Sequence, residues 1–347
     1  MDYKSLINLS FQKNIITFNL ADWESLIFQC FVLLIVLIVT IFCFHFIKCL
    51  DCDLSLRFNE IYFDYFQSGN LSIPGKIIWI TGASSGIGEA LAYQLAQFGV
   101  KLIISGRNDN RLERVKKNLQ LKGCHENDIL VVKFDLRDRE AHQPALNLIL
   151  EKFGNVDIFV NNAGTSQRSR FELIESRVDQ DLFENNVFGG VSLTRLLVKH
   201  WYSKNLAGHV VVTSSIVGKA ALPECASYTA SKHALHGYYE CLRYEAASKG
   251  IKVTMICSGP VKTEISTVSY TGVYGQPLGI ILPENSSRMD PNRHGKLMLI
   301  AIELQLEESW ITIQPFLWYC YAHQYFPTLS KRWLIPMANK LSQSRDN

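Results

Sequence analysis

Tyr228 and Lys232 stand four residues apart in the run YTASK, an interval that turns a phenol and an ammonium onto one face of a helix. An ammonium close to a phenol lowers its pKa toward working pH and suits the tyrosine to proton transfer. Ser215 ends a predicted strand thirteen residues earlier, and its hydroxyl can hydrogen-bond a substrate oxygen while the tyrosine moves the proton. Taken alone, a Tyr/Lys pair at this spacing is better explained by packing and surface solvation. Joined to Ser215 and to a glycine-rich turn upstream, it reads as a site for proton transfer at a carbon-bound oxygen.

That turn is Thr81-Gly82-Ala83-Ser84-Ser85-Gly86-Ile87-Gly88, set between a predicted strand and a predicted helix. Glycines let the backbone bend tightly and approach a pyrophosphate, whose charge is favoured by the free amides at the helix start. The spacing is GxxxGxG rather than the GxGxxG of the common dinucleotide fingerprint, so its meaning rests on the strand–helix context. The second predicted strand ends Ile104-Ser105-Gly106-Arg107 and offers no acid to grip an adenosine ribose hydroxyl. Arg107 can pair instead with a 2′-phosphate, so NADP(H) is expected over NAD(H), with Asp109 swinging back toward the ribose as the competing arrangement. Asp135 ends the third strand, where it can reach an adenine or cap the following helix. Lys232 can also hold a nicotinamide ribose.

The elements that must position these residues alternate along the chain. Strands are predicted at 77–80, 101–105, 129–134, 156–161, 209–214, 252–257 and 310–313, and helices at 86–98, 110–121, 140–153, 179–202 and 227–247. Repeated strand–helix units imply right-handed crossovers and a Rossmann-like, doubly wound parallel sheet in three layers, α/β/α. A length of 347 residues, 48% of them hydrophobic, suits one large catalytic domain plus an appendage. The 35 Lys/Arg against 32 Asp/Glu leave only +3, thinly spread, which excludes a nucleic-acid groove. Of nine cysteines only Cys49 and Cys52 have metal-like spacing, and without a second ligand pair no metal site is expected.

Residues 27–47 read IFQCFVLLIVLIVTIFCFHFI, with Gln29, Thr40 and His45 the only clearly polar members. At about 1.5 Å per residue this run matches a hydrocarbon core of about 30 Å, so an N-terminal transmembrane helix is expected. Its length and the lack of a basic leader or small-residue cleavage site weigh against a cleaved signal. Charges of both signs flank it and leave orientation open. The expected organisation is an extension at 1–26, the anchor at 27–47, a linker at 48–75, a catalytic domain at 76–315 and an aromatic region at 316–347. In that region Phe316, Trp318, Tyr325 and Phe326 precede Lys331 and Arg332, a mixture suited to membrane lipids or to packing, including packing in a homodimer. The Gly- and Pro-interrupted stretch 263–288 is expected to be a substrate-side lid.

The whole pattern resembles the short-chain dehydrogenase/reductase family across roughly 76–313. Its TGxxxGxG motif is Thr81 to Gly88, and its NNAG motif is Asn161-Asn162-Ala163-Gly164. Its catalytic asparagine matches Asn186, with Asn185 beside it as an alternative, and Ser215, Tyr228 and Lys232 complete the tetrad. The proline–glycine turn stands as Ser258-Gly259-Pro260, with Ser258 where proline is more frequent. The resemblance implies cofactor binding by Thr81, Gly82, Ser84, Ser85, Gly86, Ile87, Gly88, Arg107, Asp135, Asn162, Ala163, Gly164, Gly259, Pro260, Val261 and Thr263, together with Tyr228 and Lys232.

Beyond the general family, the chain looks close to a microsomal subgroup, the dehydrogenase/reductase member 7 group. The similarity runs through Thr81 to Val100, Ser166-Gln167-Arg168-Ser169, SKHALHG at 231–237 and EESWITIQPFL at 307–317. That implies an endoplasmic-reticulum membrane and NADP(H)-linked interconversion of a carbonyl and an alcohol on a lipophilic small molecule such as a steroid or retinoid. A long-chain, sphingoid-type ketoreductase and a cofactor-binding scaffold with little turnover share the same motifs. Side-by-side assays of steroid, retinal and sphingoid carbonyls separate the three.

Overall fold

A computed structural model of the protein describes residues 20–66 and 71–346, so the expected extension lies outside the described residues at 1–19. Helices α1 (Leu20–Lys48) and α2 (Leu54–Phe66) precede an alternating run: β1 (Ile77–Thr81), α3 (Gly86–Leu95), β2 (Lys101–Gly106), α4 (Asp109–Leu121), β3 (Ile129–Lys133), α5 (His142–Phe153) and β4 (Ile158–Asn161). Next come α6 (Ser176–Phe183), a π-helical turn (Glu184–Phe188), α7 (Gly189–Lys204), β5 (Gly208–Ser215), α8 (Ala226–Ala246) and β6 (Ile251–Ser258). The short α9 (Ile265–Val268), α10 (Pro291–Glu303), β7 (Glu308–Ile311), α11 (Phe316–Tyr325) and α12 (Pro327–Asp346) complete the order.

The strands pair in parallel in the order β3-β2-β1-β4-β5-β6-β7. The reversal between β1 and β4 opens a crevice at the carboxyl ends of the strands, the usual ligand position in such sheets. Successive side chains of a strand point to opposite faces. Ile78, Ile80, Leu102 and Ile104 therefore enter a core shared with α3, α4 and α10, while Trp79, Ile103 and Phe159 enter one shared with α5, α7 and α8. Each fully buried side chain of this kind stabilises the fold by about 1.5–3 kcal/mol. The register carries Thr81, Gly106, Asn161, Ser215 and Ser258 to one edge, with Ser215 directly opposite Ser258.

The sequence reading of 48–75 as a linker omits α2. Cys52 and Leu56 are buried, Asp53 pairs with Trp310 of β7 through N–H to carbonyl (2.8 Å), and the Trp310 N–H donates to the Asp53 carboxylate (2.7 Å). Arg293 of α10 pairs with Asp51 and Glu60, binding α2 to the helical layer.

The chain divides into two units, 1–49 and 50–347. Among the described residues no helix is long and apolar enough to cross a membrane. That holds for α1 over its described side chains, which run unbroken from Ile27 to Ile41. The side chains at 42–47 lie outside the described residues. The expected transmembrane helix is corrected on this ground, and with it the single-pass placement in an endoplasmic-reticulum membrane. What stands is the three-layer α/β/α sheet.

Candidate active site

The glycine turn follows β1 because its backbone must go where a side chain would not fit. Gly82 and Gly86 sit at φ of +65° and +62°, the left-handed region that L residues avoid. A Cβ on Gly88 would lie 2.6 Å from both the Gly82 carbonyl oxygen and Asn162 Nδ2. That close approach lets Asn162 clamp the turn: its Nδ2 donates to the Thr81 carbonyl (2.9 Å), its own N–H donates to Thr81 Oγ1 (3.0 Å), and its Oδ1 accepts from Thr213 (3.1 Å). The NNAG segment thereby couples β1, β4 and β5. Asn161 is buried and donates to Tyr239 (2.8 Å), which makes it structural.

A cavity of about 1060 Å³ lies over this turn and runs across the strand ends. Every residue expected to hold a cofactor lines it except Gly88, which lies behind the turn. The bare glycine backbone, the start of α3 and the size of the cavity fit a dinucleotide with room for a substrate beside it. At the end of β2 the lining is Ser105, Gly106, Arg107, Asn108 and Arg111, and Asp109 is not part of it. Asp135 is held by Arg137 (2.8 Å) and lies 4.0 Å from Arg107. Burial works to raise its pKa, but these guanidiniums outweigh it and hold the carboxyl below the usual range. Its carboxylate also accepts from the Arg137 N–H (3.0 Å), so it closes its own turn, while α5 begins after Ala141.

Ser215, Tyr228 and Lys232 share the same cavity. Ser215 Oγ donates to the Ser258 carbonyl (3.0 Å), a bond set by the β5–β6 register. Lys232 is buried, donates from Nζ to the Thr213 carbonyl (2.8 Å), and lies 5.6 Å from the centre of the Tyr228 ring. Burial lowers its pKa to about 8. The expected depression at Tyr228 is not what the structure produces. Burial raises the phenol pKa, while a hydrogen bond with Ser215 and the positive charge of Arg168 pull the other way.

Asn186 sits on the π-helical turn, buried behind the cavity wall. Its Oδ1 accepts from the Thr165 N–H (2.8 Å), and its Nδ2 donates to the Thr165 carbonyl (2.9 Å) and to Ser231 Oγ (3.1 Å). Asn185 lines the cavity instead, and donates to Asn186 Oδ1 (3.2 Å). Ser258 turns its hydroxyl away from the cavity to buried His294 (2.9 Å), whose pKa burial lowers to about 3.

The substrate side comes from loops that strand–helix spacing does not reveal. Ser166, Arg168 and Ser169 follow NNAG, Ile216, Val217 and Leu222 follow β5, and Val268, Leu278, Ile280 and Leu282 come from the expected lid. The expected lid segment is tied down within its length, where the Tyr270 N–H donates to the Ser166 carbonyl (2.9 Å), and just past its end, where the Met289 N–H donates to the Pro260 carbonyl (2.9 Å). Of the C-terminal aromatic region, Phe316 and buried Cys320 pack against Ile216 and Val217, while Trp318, Tyr325, Phe326 and Trp333 are exposed. Among the described residues no group of three or more His, Cys, Asp or Glu could hold a metal.

A parallel sheet of this order, the glycine turn and a Ser–Tyr–Lys set at the strand ends are the features of a nicotinamide-linked oxidoreductase. The chain belongs to the short-chain dehydrogenase/reductase family, whose model, described as short chain dehydrogenase, matches residues 76–272. It is closely related to dehydrogenase/reductase SDR family member 7 of Homo sapiens, 38% identical over 326 residues, which are 93% of this chain and 93% of that protein. Two solved structures share the fold, each at 24% identity. A short chain dehydrogenase/reductase from Burkholderia phymatum in complex with NAD has a TM-score of 0.65, covering 75% of this chain and 96% of that one. An alcohol dehydrogenase from the archaeon Thermococcus sibiricus, complexed with 5-hydroxy-NADP, has a TM-score of 0.59 and covers 69% and 97%.

Proposed function

We propose that the protein interconverts a carbonyl and an alcohol on a lipophilic small molecule of the steroid or retinoid kind, using NADP(H). The observation that carries this reading is the convergence of Ser215, Tyr228 and Lys232 on the cavity that also holds the glycine turn. The cofactor, when bound, supplies or accepts the hydride. Tyr228 gives the proton to the carbonyl oxygen in reduction and takes it back in oxidation. Burial keeps its phenol protonated, as a donor needs. Ser215 exchanges its bond to the Ser258 carbonyl for one to the substrate oxygen and so orients it. Lys232 keeps a proton at Nζ through neutral pH and is aimed by Thr213. Asn186 acts at one remove, fixing Thr165 and Ser231 and hence the start of α8.

The preference for NADP(H) is supported by Arg107 and Arg111 in the lining and by the absence of Asp109 from it. The lipophilic substrate is supported by the apolar side chains of Ile216, Val217, Leu222, Val268, Leu278, Ile280 and Leu282 in the lining. The test is turnover of NADPH with a panel of steroid ketones and retinal, repeated with Tyr228→Phe. The variant is expected to lose about 10²–10⁴-fold in kcat while binding NADPH as the wild type does. Near-normal turnover would remove Tyr228 from the proposed role.

A further inference from the structure

Besides Arg107 and Arg111, three guanidiniums line the cavity, and two of them are already engaged. Arg170 pairs with Glu172 (2.8 Å). Arg288 donates to Ser286 Oγ (2.7 Å) and to the Leu282 and Pro283 carbonyls of its own loop. Arg168 differs: among the described residues its side chain makes no hydrogen bond and no ion pair. Its backbone is nevertheless pinned, since its N–H donates to the Tyr270 carbonyl (2.9 Å) and the next N–H, of Ser169, donates to the Glu224 carbonyl (2.9 Å). A fixed Cα therefore carries a guanidinium with no ion pair among the described residues to a cavity lined nearby by Ile216, Val217, Leu222 and Leu278, with Ser169 and Glu224 beside them. It lies near enough to Tyr228 for its charge to act on the phenol.

An exposed arginine that forms no ion pair within the fold contributes little to stability. Its worth appears when a ligand brings the opposite charge. The guanidinium fork matches a carboxylate through two parallel hydrogen bonds. A phosphate dianion would call for a second free cation, and Arg170 and Arg288 are occupied.

We propose that Arg168 is a specificity-determining residue for substrates that carry a carboxylate: an apolar oxo acid, or the corresponding hydroxy acid, whose reacting oxygen faces Tyr228 while its carboxylate pairs with Arg168. The proposal rests on the oxidoreductase reading above and narrows its substrate class. A charged hydrogen-bonded contact of this kind corresponds to roughly 10–100-fold in kcat/KM.

The experiment compares an apolar oxo carboxylic acid with its methyl ester in NADPH-dependent reduction by the full chain, for the wild type, Arg168→Met and Arg168→Lys. The wild type is expected to prefer the acid by at least about tenfold. Arg168→Met should abolish that preference mainly through KM on the acid, change the ester by less than about threefold, and leave NADPH binding intact. Arg168→Lys, a cation without the fork, should fall between. Binding of the corresponding non-reacting carboxylic acid and its amide to the NADPH complex, read by NADPH fluorescence, gives a measure independent of turnover. Equal turnover of acid and ester, or an equal loss on both in Arg168→Met, would overturn the carboxylate assignment and leave the oxidoreductase reading standing. Turnover of neither, with acid binding that depends on Arg168, would overturn the oxidoreductase reading and support the carboxylate contact.

Discussion

Glu60 offers the clearest quantitative test of how the segment before the sheet is held. Only 4% of its side chain is exposed, and its carboxylate receives Arg57 (2.6 Å), Arg293 (2.9 Å) and, more distantly, Lys296 (3.6 Å). Burial alone would raise its pKa, but Arg293 and Arg57 outweigh burial and bring it from 4.5 down to about 2. At about 1.36 kcal/mol per unit, that difference corresponds to about 3 kcal/mol of folded-state stability. Breaking a buried ion pair by removing one partner costs about 3–5 kcal/mol. The lower end applies because Arg293 keeps Asp51 (2.7 Å). The folded pKa is depressed, so the contribution is complete above the unfolded value of 4.5 and disappears as pH falls through about 2. Glu60→Gln keeps the shape and removes the charge. It is expected to be about 3 kcal/mol less stable than the wild type at neutral pH, with the gap shrinking steadily in acid. Equilibrium denaturation of both proteins across that range is the assay, and taking the difference cancels the other carboxylates. A gap below about 1 kcal/mol at neutral pH, or one unchanged near pH 3, would refute the reasoning.

Two further outcomes follow from the cofactor end of the cavity. Arg107→Ala should weaken NADPH far more than NADH, by roughly tenfold or more in Kd for a lost charged contact, and paired titrations check it. An unchanged NADPH preference would discard Arg107 as the selector. Gly88→Ala places a methyl 2.6 Å from a backbone oxygen and from Asn162 Nδ2, so the clamp on the turn must open. It should cost about 1–3 kcal/mol in stability and also weaken NADPH binding, as thermal unfolding with and without NADPH would report. Wild-type affinity in that variant would count against the turn as the cofactor cradle.

The sheet and the glycine turn were legible because their signals are local: short apolar runs separated by helical patterns, and a glycine spacing that gains its meaning from lying between a strand and a helix. Tyr228 and Lys232 were legible for the same reason, since four residues on a helix are one turn. The helix over 179–202 was not read as two, because nothing in Glu184 to Phe188 breaks helix propensity. Helix α2 was missed because its buried face is Leu56 and Glu60, and a carboxylate signals surface until its partner Arg293 is known. Arg111 and Arg168 carry no spacing signal of their own, and tertiary closure alone brings them to the cavity. The phenol pKa was expected to fall beside Lys232, yet desolvation outweighs charge there, and desolvation has no signature in spacing.

The π-helical turn at Glu184–Phe188 sets the rotational phase of everything around it. A single extra residue in a helix turns all later side chains by about 100°, and here it decides which of two adjacent asparagines faces Thr165 and Ser231. Deleting one residue from this turn would restore an ordinary helical path at the expense of that orientation, while α6 and α7 could each keep its own buried face only by shifting against the sheet. Tolerance here is therefore set by chain length before side-chain chemistry: a conservative replacement within 184–188 perturbs one contact, whereas an insertion or deletion moves Asn186, Thr165 and the start of α8 together.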